Sequence, residues 1–171
     1  VDITRRMMVE EALKETNKRY EDLVERTGDW VWELDKECKF TYTNHSIIEI
    51  MGVASTSELI GQTPFDFMEK NETGRFSSFL WGIMERRESF ALYNVTMRHR
   101  DGHNIYFEIS GVPFFDKEGQ LIGYRGISRD ITARIEAEEE SKRVHTMQAI
   151  EKERTRLARE LHDEIGMALF S

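Results

Sequence analysis

The chain has 171 residues, 39% of them hydrophobic and 33% charged, with 11 Gly, 2 Pro, one Cys and a formal net charge of −8. The lone Cys38 excludes an intrachain disulfide and a zinc cluster of several thiolates, and the acidic balance argues against sequence-independent nucleic-acid binding. No run of about 18 apolar residues spans a membrane and no secretory leader is visible, so a cytoplasmic location is expected. The length suits one domain with something left over. A high charged share with scarce Pro and Gly points to long solvated helices rather than a flexible linker.

Residues 4–27 carry neither Gly nor Pro before Gly28. Val9, Leu13, Thr16, Tyr20 and Leu23 form a thin heptad-like seam on an otherwise charged helix. Such a helix is marginal alone and is expected to pair with a second copy or to pack on the domain. Strands and turns begin at Asp29. Trp30–Leu34 and Phe40–Thr43 read as two short strands around a polar turn. Ser46–Met51 reads as a short helix closed by Gly52. Thr73–Glu88 is the clearest internal helix, with Phe76, Phe79, Leu80, Ile83 and Met84 on one face. Three strands follow, Phe90–His99, Asn104–Phe115 and Leu121–Arg129, with Asp101-Gly102 and Glu118-Gly119 supplying the turns. This order is α+β, with an antiparallel sheet whose first two strands must pair with the last three.

From Ile131 to Phe170 the chain is again highly charged and broken only by Gly166. Its apolar stripe broadens toward the end through Ile150, Leu157, Ala158, Leu161, Ile165, Ala168 and Leu169, which suits a helical bundle. The opening Val-Asp2-Ile-Thr echoes Arg-Asp130-Ile-Thr132. That repetition suggests that the chain begins on the last residues of a preceding copy of the same domain.

Residues 20–132 resemble a PAS domain, a sensor module of many signalling proteins. The resemblance is carried by Asp29-Trp-Val-Trp-Glu-Leu-Asp35, Glu58-Leu-Ile-Gly61, His99-Arg-Asp-Gly102, Pro113-Phe-Phe-Asp116, Ile122-Gly-Tyr-Arg-Gly126 and Arg129-Asp-Ile-Thr132. It implies a five-stranded antiparallel sheet with short helices, flanked by long N- and C-terminal coiled-coil helices. The expected organisation is a signalling helix at 1–27, the PAS domain at 28–132, a coiled-coil linker at 133–150 and the start of a phosphotransfer helix at 151–171. Asp130 and Thr132 fall where the last strand meets the long helix. Either oxygen can cap that helix, and the pair is also a candidate signal joint.

Residues 151–169 resemble the dimerisation and phosphoacceptor helix of the histidine kinases that partner LuxR-type response regulators, through Glu-Arg-x-Arg-Leu-Ala-Arg-Glu-Leu-His162-Asp163-Glu-x-Gly. The resemblance implies that His162 accepts the γ-phosphate of ATP. The chemistry needs a neutral imidazole nitrogen as nucleophile, and the carboxylate of Asp163 can orient the ring and take its proton. The bland alternative is a solvated His on a charged helix. Members of this family carry a Gln five residues after the histidine, implicated in positioning a water for dephosphorylation. Here Met167 stands there, and it cannot hold a water in that way. The resemblance further implies a homodimer, an ATP-binding domain elsewhere in the parent kinase and a response regulator as partner. The chain alone, with no ATP-binding motifs, is expected to be inactive.

The candidate sensor pocket is lined by Trp32, Leu34, Tyr42, Phe107, Ile109 and Ile127 on the strands, closed by Phe76, Phe79, Leu80 and Ile83 from the helix. The same aromatics can simply fill the core. Arg125 is an anion-binding group if it points inward and an ordinary surface charge if outward. No cofactor is firmly implied. In flavin-binding light sensors a reactive Cys follows a turn matching Gly61-Gln-Thr-Pro64, where this chain has Pro64. The flavin-bonding Asn and Gln of those domains align with Phe107 and Arg125, so a flavin is not expected. Haem held by His45, His103 or Cys38 stays open as a redox-sensing alternative, as does a ligand-free dimerisation and relay module. The five His look scattered and no acidic group shows ligand spacing, so no metal site is expected.

Overall fold

The computed structural model describes residues 2–171. The described residues divide into two units, one ending at Ile131 and the single helix beyond it. The first unit begins with helix α1 (Asp2–Thr27) and continues through β1 (Trp30–Asp35), β2 (Phe40–Thr43), α2 (Ser46–Met51), α3 (Lys70–Arg86), β3 (Phe90–Arg98), β4 (Asn104–Phe115) and β5 (Leu121–Asp130). The second is α4 (Thr132–Phe170). The strands form one antiparallel sheet in the order β2-β1-β5-β4-β3, so the first two do pair with the last three. Two short 3-10 turns at Thr56–Glu58 and Pro64–Phe67, absent from the sequence reading, connect α2 to α3.

Local chemistry sets most of these boundaries. Asp35 Oδ1 accepts the N–H groups of Glu37 and Lys39, which folds the β1–β2 turn and leaves Cys38 at a φ of 61°. Gly52 ends α2 in the left-handed region at φ 71°, donating its N–H to Ile48 O as expected of a helix-ending glycine. The turn at Pro64 is held by Asp66, whose Oδ2 accepts both the N–H (2.7 Å) and the hydroxyl (2.8 Å) of Thr63. Helix α3 starts three residues earlier than its apolar periodicity suggests. Glu72, in its first turn, accepts the Thr96 N–H at 3.0 Å and pairs with Arg75 at 2.6 Å, docking the helix on β3.

One face of the sheet, covered by α2, the 3-10 turns and α3, is the core. Trp30, Trp32 and Leu34 of β1 point into it, as do Ile105, Phe107 and Ile109 of β4, and the helices supply Ile47, Met51, Phe76 and Leu80. Tyr124 is fully buried, with its hydroxyl 3.0 Å from Ile83 O and 2.8 Å from Glu88 O, so it ties β5 to the end of α3. Phe79 is only partly buried. It stacks on Tyr93 at 3.8 Å between ring centroids and meets Phe90 edge-on at the rim of the core. The seam on α1 is exposed, with Val9, Leu13, Tyr20 and Leu23 all uncovered.

Leu80, at 1% exposure, reports the packing of α3 on the sheet. Leu80→Ala is expected to cost about 2–5 kcal/mol in urea unfolding. A loss below about 0.5 kcal/mol would show that the helix lies elsewhere.

Candidate functional site

The pocket expected from the sequence falls in the interior between α3 and the sheet. The space left there is about 20 Å³, roughly the room one water needs. Trp30, Trp32, Leu34, Phe76, Leu80 and Ile109 close around it, and Ser128 is the polar residue among its walls. Both indoles are pinned: Trp30 Nε1 donates to Thr43 Oγ1 at 2.7 Å and Trp32 Nε1 to Ser128 Oγ at 2.8 Å. A buried indole N–H needs such an acceptor, and that need is the signal by which Thr43 and Ser128 could have been found in the sequence.

Three expected lining residues face the other way. β5 runs with Tyr124, Gly126 and Ser128 inward, so Arg125 and Ile127 lie on the exposed face. The reason is volume. Gly126 sits opposite Trp32, and a Cβ there would lie 2.2 Å from Ser110 O and 2.5 Å from the indole, so this inward position takes a glycine and its neighbours Arg125 and Ile127 lie on the other face. Arg125 instead lies over the Phe114 ring, 4.2 Å from its centroid, with Glu33 at 3.5 Å. Tyr42 faces outward because β2 carries an irregularity that turns Phe40 and Thr43 inward. Trp32, Leu34, Phe76, Leu80 and Ile109 do line the small void, whereas Phe107 and Ile83 are buried beside it and Phe79 lies at its rim.

The three groups considered for haem stand outside this void. His45 is exposed, 3.6 Å from the Glu25 carboxylate, and His103 sits on the β3–β4 hairpin. Cys38 is fully buried with its Sγ 3.4 Å from Met84 Sδ. Burial, and then the nearby Asp35 carboxylate, push its thiol up to about 12. It is a protonated core thiol and not a thiolate ligand.

Helix α4 runs unbroken through His162 and Asp163, both exposed. Ala158, His162, Ile165 and Leu169 fall on one line of the helix, and Leu157, Leu161, Ile165 and Leu169 are exposed along it. Nearly two turns before the histidine, Arg156 joins Glu153 at 2.5 Å and also pairs with Glu160, stiffening the exposed face. Asp130 is the last residue of β5 and Thr132 the first of α4.

The expectation that no metal-binding residues cluster is corrected by the β3–β4 hairpin. It brings His99, Asp101 and His103 together, one donor atom of each lying within 4.8 Å of the others. The two imidazoles stack at 4.3 Å because His99 and His103 flank a turn of three residues, closed by a His99 N–H to His103 O bond of 2.8 Å. The sequence signal was the His-x-Asp-x-His spacing around Gly102. The Asp101 carboxyl is held below its ordinary value, first by the His103 N–H and then by the two rings.

The PAS domain family matches residues 28–133, and the chain belongs to that family. A hybrid signal transduction histidine kinase L of Dictyostelium discoideum is 28% identical over 153 residues, which is 90% of this chain and 9% of that protein. The chain thus spans about a tenth of the length of this curated relative. Among solved structures, a PAS domain from Colwellia psychrerythraea superposes with a TM-score of 0.61 at 24% identity, covering 71% of this chain and 98% of the other. The PAS domain of an HTR-like protein from Haloarcula marismortui gives a TM-score of 0.57 at 23% identity over 71% and 97% of the two chains. These likenesses concern the fold. No described helix is long and apolar enough to cross a membrane.

Two outcomes follow from this geometry. Gly126→Ala is expected to destabilise the fold by at least about 1–3 kcal/mol through overpacking, whereas Arg125→Ala stays within about 0.5 kcal/mol as a surface change. Equal effects would reverse the assignment of β5 faces. The Cys38 thiol rises from 9.0 to about 12 on folding, so the folded state holds the proton more tightly. Its stabilising effect is complete below pH 9 and is lost as pH climbs from there toward 12. At pH 8 the native thiol should resist an aromatic disulfide reagent and react only on unfolding, and rapid native labelling would refute its burial.

Proposed function

We propose that this chain is the sensor and signal-transmitting region of a two-component histidine kinase, in which the PAS domain governs phosphorylation of His162. The observation that carries the reading is the exposed His162-Asp163 pair on one unbroken helix that follows the last PAS strand in sequence. The named relative, a histidine kinase similar over most of the chain, supports it. In this reading a neutral imidazole nitrogen of His162 attacks the γ-phosphorus of ATP held by a separate ATP-binding domain of the parent kinase. A P–N bond forms, ADP leaves, and Asp163 takes the ring proton. The phosphoryl group then passes to a response regulator of the LuxR type in the cytoplasm. Met167 offers no side-chain hydrogen bond to a hydrolytic water, so phosphatase activity is not part of the proposal.

The exposed apolar residues of α1 and α4 support a parallel homodimer, since bundles of this kind need both acceptor helices side by side. Coupling then consists of a two-state bias of paired helices, worth about 1–3 kcal/mol. The small, indole-filled void favours a second reading of the sensor. On that reading the PAS core binds nothing and relays a signal from a preceding domain. Native mass spectrometry of the purified chain separates these, because a retained small molecule supports sensing and a bare dimer supports relay.

His162→Gln in the complete kinase is expected to abolish phosphorylation while leaving fold and dimer intact, because the side chain is exposed. Asp163→Asn should slow phosphorylation by about 10²–10⁴-fold. Acid-labile, base-stable label should map to the peptide holding His162 and not to those with His45, His99, His103 or His145. Label persisting in the His162→Gln protein would place the acceptor elsewhere.

A further inference from the structure

The β3–β4 hairpin holds an arrangement that the kinase reading does not use. Oδ1 of Asp101 lies 3.0 Å from Nδ1 of His99 and 2.5 Å from Nδ1 of His103. Nδ1 of His99 also accepts the Asp101 N–H at 3.1 Å, a bond it must exchange to hold an ion. A proton on His103 Nδ1 satisfies one side of the carboxylate oxygen. The same oxygen accepts the His103 backbone N–H at 3.1 Å, so the turn brings one donor atom of each of the three side chains within 4.8 Å of the others.

The placement of these donors is built by the fold. Gly52, at the end of α2, leaves the space in which the far edge of the His99 ring lies: a Cβ there would come 2.5 Å from Cε1 and 2.6 Å from Nε2. That packing turns Nδ1 toward Asp101. The Arg100 N–H donates to Met51 O at 3.0 Å, and its guanidinium reaches the Glu58 carboxylate at 3.4 Å, so this cation of the turn is paired away from the cluster. His99 is the shielded member, while Asp101 and His103 are more than half exposed and open to an incoming ion.

We propose that His99, Asp101 and His103 form a binding site for a divalent metal ion of borderline softness, with Zn²⁺ as its representative. Two imidazoles and a carboxylate are a common zinc donor set and leave the fourth position to water. Bonds of about 2.0–2.2 Å in a tetrahedron put donors roughly 3.3–3.6 Å apart, so each Asp101–His pair must open by about 1 Å or less, and the exposed His103 ring must rotate out of its stack on His99 to aim its nitrogen at the ion. A bound ion would bridge the two sides of the β3–β4 turn, whose backbone is already tied to α2 through Met51. The metal is thus a ligand for the sensor domain at a place distinct from its interior, and the inference does not depend on phosphoryl transfer at His162.

The test is titration of the full chain with Zn²⁺ alone by isothermal calorimetry, with imidazole resonances followed by NMR. One ion per chain is expected, with the His99 and His103 ring signals shifting. His103→Ala carries the decision because that side chain is exposed and the fold does not rest on it. Losing a donor should weaken binding at least as much as losing an outer-shell partner, about 10–100-fold, and Asp101→Asn should weaken it as well. His45→Ala and His145→Ala should leave binding unchanged. Zn²⁺ affinity unaffected by His103→Ala, ring signals of His99 and His103 that do not move, or no binding at all would each overturn the proposal.

Discussion

Six consecutive residues of β1, Trp30 to Asp35, pair antiparallel with Ser128 to Gly123 of β5, joining the beginning of the PAS domain to its end. This pairing puts the Trp32 indole within 2.8 Å of Ser128 Oγ across 96 positions of sequence. It is also possible only because two positions of β5 lack side chains. A Cβ at Gly123 would fall 1.8 Å from Leu34 O, and one at Gly126 would strike Ser110 O. Everything on the inner face is arranged around that contact: the indoles fill the centre, α3 closes over them, and Tyr124 ties the helix end back to the same strand.

The interior therefore resembles a packed core more than a receptor cavity. Aromatic rings supply much of its volume, and their polar N–H groups are met by Thr43 and Ser128 rather than by a ligand. That economy of space moves interest to the periphery. The hairpin beyond β3 gathers two imidazoles and a carboxylate, and the outer face carries Arg125 over Phe114 beside exposed Ile127 and Val112. A sensor domain with a filled centre can still respond to chemistry at its rim, because the hairpin backbone bonds directly to the end of α2.

Element order, strand count and the two long helices were legible in the sequence because periodicity and turn residues report local preferences. The faces of β5 were not. Alternation there offers Ile127 and Arg125 on one side and Tyr124, Gly126 and Ser128 on the other, and apolar content alone favours the wrong side. What decides is the bulk of Trp32 on the neighbouring strand, a non-local fact. Tyr42 was misplaced for a similar reason, since the irregularity in the β1–β2 pairing changes which residues face the core. The His99-Asp101-His103 group was written in the chain as His-x-Asp-x-His around Gly102. It escaped notice because a scan for scattered histidines ignores that a tight hairpin stacks residues four apart. The reading of His162 and Asp163 came from their flanking motif alone, and they lie exposed on continuous helix.

The long separation of β1 from β5 also has a consequence in time. During synthesis β1 leaves the ribosome nearly a hundred residues before its central partner exists. At about 5–20 residues per second that interval lasts on the order of 5–20 s. Through it β1 has only the short β2 as a neighbour, and Trp30, Trp32 and Leu34 have no inner face to enter. The nascent chain is therefore most prone to wrong strand pairing in this interval, and the arrival of Gly123 to Ser128 is the event that ends it.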